Sequence, residues 1–201
     1  MSTRDTSVLI DPHPCRHIVY PYNDESKAIN AVCLFAGSGL SKGESVILIM
    51  ADSRRDVITD RLACGGFNLE ALRETRQLEC ISADDTLRTL MPNGVLDDAL
   101  FTEAISEVIK GSRISSPVRR VRVFGEMVSL LLARNELEAA RRMEELWNEI
   151  IAAQSISLFC TYTLLDSGYE TLPDAIATLH SHNLASWSHD VHAAAMTLAG
   201  K

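Results

Sequence analysis

Glu126 directly follows Gly125 at the end of an apolar run, and a carboxylate so placed can accept hydrogen bonds from a bound molecule. The competing reading is a helix N-terminal carboxylate stabilised by the dipole of a helix starting at Met127. Asn148 lies beside Trp147 on a long helical pattern and can hydrogen-bond strand ends, while Trp147 reads as core. Tyr20, Tyr22 and Tyr162 can line a pocket or fill a core, and Asp24 adds a carboxylate after the first of these tyrosines. The candidate binding set is therefore Tyr20, Tyr22, Asp24, Glu126, Met127, Asn148 and Tyr162. Acidic and aromatic, it suits a cation, a polar organic molecule or a partner protein better than a triphosphate.

Other chemistries find less support. A phosphate-gripping loop needs a strand, G-x-x-x-x-G-K-[ST] and then a helix, so that backbone N–H groups and a lysine converge on the anion. The first strand is instead followed by Tyr22-Asn23-Asp24-Glu25, which repels phosphate. Gly37-Ser38-Gly39-Leu40-Ser41-Lys42-Gly43 has the wrong spacing and sits at a helix end. No G-x-S-x-G elbow is present, and no catalytic residue or cofactor is expected. The histidines around His13 and His17, and those at His180, His182, His189 and His192, lack the tight Cys/His pairing of structural zinc sites. No metal is expected, and His17 is assigned a structural hydrogen bond.

The elements that must carry these residues follow from apolar patterning. His17–Tyr20, Val46–Met50, Leu78–Ile81, Val118–Phe124 and Ile156–Tyr162 read as strands, and Val46–Met50 is apolar without alternation. Helical stripes lie between them: Ile29, Val32, Ala36 and Leu40; a helix over about 53–64; a short one over 69–75; one from Asp84 to Leu90. A further helix starts at Asp97 or Asp98 with Leu100, Ala104, Val108 and, as an alternative, Ile109 inward, followed by Met127–Ala133 and Glu136–Ala153. Strands alternating with helices imply an α/β fold, a mostly parallel sheet of about five or more strands covered on both faces. Residues 1–14 read as a disordered lead-in, 15–182 as the domain, with a helix after Pro173, and 183–201 as a helical tail that could pack on a second copy of the chain.

In its 201 residues the chain sets 19 Lys+Arg against 27 Asp+Glu, a net charge of -8 that repels nucleic acid on average. No apolar stretch approaches the ~20 residues a bilayer helix needs. The five cysteines are scattered without a C-x-x-C pair, which points to reduced thiols and a cytoplasmic protein.

Several segments, in order, resemble one known family. They are His17-Ile18-Val19-Tyr20 with Asp24-Glu25, Gly39-Leu40-Ser41-Lys42-Gly43-Glu44, Val121-Arg122-Val123-Phe124-Gly125-Glu126-Met127, Glu144-Glu145-Leu146-Trp147-Asn148-Glu149 and Leu158-Phe159-Cys160-Thr161-Tyr162. Together they resemble the MEDS domain, the sensory domain of methanogens, methylotrophs and a dichloromethane-responsive regulator, over roughly 15–182. The resemblance implies a RecA/KaiC-like domain that lacks its phosphate-binding loop and serves signal input, often joined to a DNA-binding helix-turn-helix or a histidine kinase. With a lead-in of 14 residues, neither is expected before the domain here. The expected role is a non-enzymatic sensory module that binds a small molecule or a signalling protein, namely a histidine kinase or transcription regulator, at the strand carboxyl ends. The alternatives are a divergent nucleotide-binding enzyme with Glu126 as water-activating base, and an oligomerising interaction protein, such as a homodimer.

Overall fold

A computed structural model describes residues 3–114 and 116–163. The expected helix after Pro173 and the tail over 183–201 lie outside the described residues. Five strands, β1 (His17–Tyr22), β2 (Ser45–Met50), β3 (Leu78–Ser82), β4 (Val121–Gly125) and β5 (Ser157–Thr163), form one sheet in the order β1-β5-β4-β2-β3. Every pairing is parallel. The expected α/β sheet with helices on both faces is the one observed.

Strand parity divides the core. Val46, Leu48, Met50, Phe124 and Phe159 face the layer formed by α1 (Thr3–Ile10), α2 (Glu25–Ser41), α3 (Asp52–Cys64) and α4 (Leu69–Glu74). Ile47, Ile49, Val121, Val123, Leu158, Cys160 and Tyr162 face α5 (Ala83–Leu90), α6 (Asp98–Ser112), α7 (Met127–Ala133) and α8 (Leu137–Gln154). All six side chains of β2 are buried, as a central strand covered on both faces requires.

Three expectations change. The lead-in contains α1, whose Leu9 is 3% exposed and packs with Phe35 and Val32. Burial of one leucine and capture of the helix's last carbonyls by Arg122 explain why this segment is ordered. The fourth strand begins at Val121 rather than Val118: Val118 is 94% exposed, and Pro117 at the preceding turn has no N–H for a ladder. In α6 the buried stripe is Phe101, Ile105 and Ile109: Ile109 is the alternative to Val108 that the pattern offered, while Phe101 and Ile105 replace Leu100 and Ala104, because Phe101 packs edge-on against Trp147 with ring centroids 5.2 Å apart.

At the amino end of the sheet Arg122 is 1% exposed and hydrogen-bonded through all three of its nitrogens. Its Nε donates to Glu44, Nη1 to the carbonyls of Leu9 (2.9 Å) and Phe35 (3.1 Å) and to Ser38 Oγ (3.0 Å), and Nη2 to the Ile10 carbonyl (3.0 Å). A Cβ on Gly39 would come within 2.8 Å of Arg122 Cδ, so only glycine lets this side chain pass beneath α2.

Candidate functional site

In an open parallel sheet, a crevice forms where neighbouring strands send their following helices to opposite faces. Here β2 leads into α3 on one face, and its neighbour β4 leads into α7 on the other. Pairing runs one residue past β4, the Glu126 N–H donating to the Ile49 carbonyl at 3.0 Å, and the Glu126 side chain then enters the crevice. It is 3% exposed.

Glu126 fastens α3. The residue before that helix is Ala51, which has no side chain to satisfy the first orphan N–H groups. Glu126 Oε2 accepts the Ala51 N–H at 2.8 Å, and Asp84 Oδ2 accepts the Asp52 N–H at 3.3 Å. A third anchor is Arg54 in the first turn, where a cation opposes the helix dipole and needs anions beside it. Its Nη1 donates to Glu126 Oε1, and its Nη2 donates to the Tyr22 hydroxyl and to Glu25 Oε2 (2.6 Å). The guanidinium also lies over the Tyr22 ring, 5.1 Å from its centroid. One side chain thus joins the carboxyl ends of β1 and β4 to the starts of α2 and α3.

Burial raises the pKa of Glu126, opposed by the Arg54 charge and the Ala51 N–H. Burial also raises that of the Tyr22 phenol, with Arg54 opposing. For Arg54, burial works against the charge, but Glu126 and Tyr22 outweigh it and the pKa rises. The crevice therefore holds two carboxylates, a phenol and one guanidinium. Such a set can bind a donor-bearing molecule in place of Arg54.

Of the seven expected residues, Tyr22 and Glu126 meet through Arg54. Asp24 stands one turn away, where its Oδ1 accepts the Ser26 and Lys27 N–H groups (3.0 and 3.4 Å) and so occupies the helix terminus that an anion would need. The other four lie elsewhere. Met127 is fully buried among Val128, Leu131 and neighbouring core residues, because the first turn of α7 faces the sheet. Tyr20 packs against Phe159, with centroids 6.4 Å apart. Tyr162 and Asn148 belong to a second cluster beneath α8. Arg54 and Glu25 were not among the expected residues. Arg54 did stand just past a strand's carboxyl end, but its partner is 72 positions away and needs the strand order to be found.

In the second cluster Tyr162 donates its hydroxyl to Glu144 Oε1, and Asn148 Nδ2 donates to the Glu144 carbonyl at 2.7 Å. That orientation makes Asn148 Oδ1 an acceptor for His17 Nδ1–H at 3.3 Å, so the hydrogen-bond network assigns the tautomer. His17 Nε2 then faces Glu144 Oε2 at 3.6 Å. Burial lowers the His17 pKa to about 4, opposed by its bond to Asn148. Burial pushes the Cys160 thiol and the Tyr162 phenol well up, with the Glu144 charge adding to both.

Five parallel strands between two helical layers, with side chains closing the crevice at their carboxyl ends, define a RecA-like α/β domain. The family model described as the methanogen/methylotroph, DcmR sensory domain (MEDS) matches residues 16–180, and the chain belongs to that family. Its role is accordingly sensory, in signalling. Among solved structures, a KaiC-like protein from the hyperthermophilic archaeon Pyrococcus horikoshii is similar at 14% identity and a TM-score of 0.52. The match covers 75% of this chain and 62% of that one, so the chain spans less than two thirds of that protein, and the likeness is one of fold. No curated protein matches the chain. No described helix is long and apolar enough to cross a membrane.

Proposed function

We propose that this chain is a non-enzymatic sensory module whose ligand is a small polar organic molecule bearing hydrogen-bond donors, bound in the crevice beside Glu126. The ligand takes the carboxylate oxygens now held by Arg54, and the freed first turn of α3 carries the change to a histidine kinase or transcription regulator. One observation carries the reading: the same Glu126 carboxylate holds both Arg54 and the N–H that starts α3. Occupancy and helix position are then one equilibrium. A ligand shifts it only by its preference for the Arg54-released state. Asp24 at the start of α2 supports a ligand other than a triphosphate, since its carboxylate takes the amides that would grip phosphate.

Thermal-shift screening of small organic compounds against the full chain tests this. At a concentration 100 times its Kd, a compound stabilises the folded state by about 2.7 kcal/mol. The response should disappear in Glu126→Ala. An identical response in that variant places the ligand elsewhere, and turnover of ATP with Mg²⁺ overturns the non-enzymatic reading.

A further inference from the structure

His17, Glu144 and Cys160 come from three different elements, β1, α8 and β5, and all are buried. One imidazole nitrogen, one carboxylate oxygen and the Sγ atom lie within 4.8 Å of one another. Among the described residues this is the one such trio of metal-ligating side chains. We propose that it is a binding site for a zinc-class transition-metal dication, built from residues other than those of the crevice at Glu126.

Four features carry the inference. First, bond lengths of about 2.0 Å to nitrogen or oxygen and 2.3 Å to sulfur put tetrahedral ligand atoms roughly 3.3–3.7 Å apart. The observed Nε2–Oε2 separation is 3.6 Å, and only a modest approach of the thiol closes the triangle. Second, the tautomer fixed by Asn148 turns the Nε2 lone pair toward a carboxylate oxygen, and a cation between two acceptors joins them. Third, the outer contacts are those that orient metal ligands: His17 is held through its other nitrogen by Asn148, and Glu144 is held through its other oxygen by Tyr162. Fourth, imidazole, carboxylate, thiolate and a dication sum to zero net charge, which suits a buried position. On binding, the Cys160 S–H bond breaks, its proton leaves to solvent and the sulfur electron pair goes to the metal. Imidazole with thiolate selects zinc, cobalt or copper over magnesium or calcium. Three protein ligands leave a fourth position open to water or to a small molecule.

The test uses the full chain, stripped of metal and titrated with Co²⁺, whose bond to a thiolate gives a near-ultraviolet charge-transfer band. The expected result is one Co²⁺ per chain, a thiolate band, and displacement of that band by an equivalent of Zn²⁺. Because Cys160→Ser can fail to fold, the decisive variant removes the other four thiols together: Cys15→Ser, Cys33→Ala, Cys64→Ser and Cys80→Ala, of which the first and third are exposed and the others half-buried. Full retention of the band in this variant supports the site. Loss of the band there, or its absence in the wild-type chain, overturns it. Where His17→Gln folds, its binding should weaken at least a hundredfold; unchanged affinity also overturns the assignment.

Discussion

Both ends of the sheet bury a glutamate against an arginine that also stacks over an aromatic ring, yet the two pairs are built for different work. At the amino end the Arg122 side chain is 1% exposed, lies over Phe35, and spends its donors on Glu44, Ser38 and three backbone carbonyls. Nothing there can leave without stranding buried acceptors. At the carboxyl end the Arg54 side chain is 12% exposed and lies over Tyr22, and its outer partner Glu25 is 52% exposed. Water, or a molecule with similar donors, can reach that end. The arginine is a structural clamp where the acceptors it holds lie inside, and an exchangeable latch where one of them, Glu25, meets solvent.

The largest expected effect is at the clamp. Arg122→Met takes a buried donor from Glu44, which keeps only the half-exposed Arg120 at 3.3 Å, and from the Leu9 and Phe35 carbonyls, and should cost about 3 kcal/mol in a denaturant titration. A loss below about 1 kcal/mol would erase the contrast between the two ends.

Acid titration separates the ends by sign. His17 has a folded pKa of about 4 against 6.5 for the free side chain, so the unfolded chain binds the extra proton between those values. Its contribution to stability is complete above the unfolded value and is lost as pH falls through the folded one, about 3 kcal/mol in all. For Glu126 the folded pKa is raised, so the folded chain holds the proton more tightly, and that contribution is present below 4.5 and fades as pH rises through the folded value. His17→Gln should flatten the acid limb, and Glu126→Gln should flatten the opposite trend. Unchanged profiles measured by urea unfolding at each pH would remove both assignments.

At the latch, Arg54→Leu should cost about 2 kcal/mol at neutral pH, because Glu126 loses a partner but can take up a proton or water. Stability should recover as pH falls toward the point where Glu126 is neutral. A loss as large as that of Arg122→Met would make both ends clamps. The smallest effect is at Gly125. A Cβ there meets Leu158 at 3.6 Å and Trp147 at 3.7 Å, ordinary contacts, and the backbone is not left-handed. Gly125→Ala should therefore shift stability by less than about 0.5 kcal/mol, read as Tm. The glycine is not what lets Glu126 approach the crevice.

Much of this is legible in the amino-acid sequence itself. The unalternating run Val46–Met50 implied a strand covered on both faces, and Glu126 at a strand's carboxyl end was placed where the crevice opens. The partners were not legible, because the sheet order β1-β5-β4-β2-β3 brings Arg54 to Glu126 and His17 to Asn148 across 72 and 131 positions. Parity puts Leu158, Cys160 and Tyr162 on one face of β5, but which helix covers that face is a tertiary fact, and it moved Tyr162 from the crevice to Glu144. The helix in the lead-in was hidden for a similar reason. Its short segment is held by Leu9 and by Arg122, a residue 113 positions on.

The most direct test of the latch is chemical rescue. Millimolar methylguanidinium, a freely diffusing copy of the Arg54 head group, should raise the Tm of Arg54→Ala saturably. It should leave the wild-type chain and the Arg54→Ala/Glu126→Gln double variant unmoved. If the single variant responds no better than the double one, the space beside Glu126 does not accept an outside molecule, and the crevice is not where this protein senses.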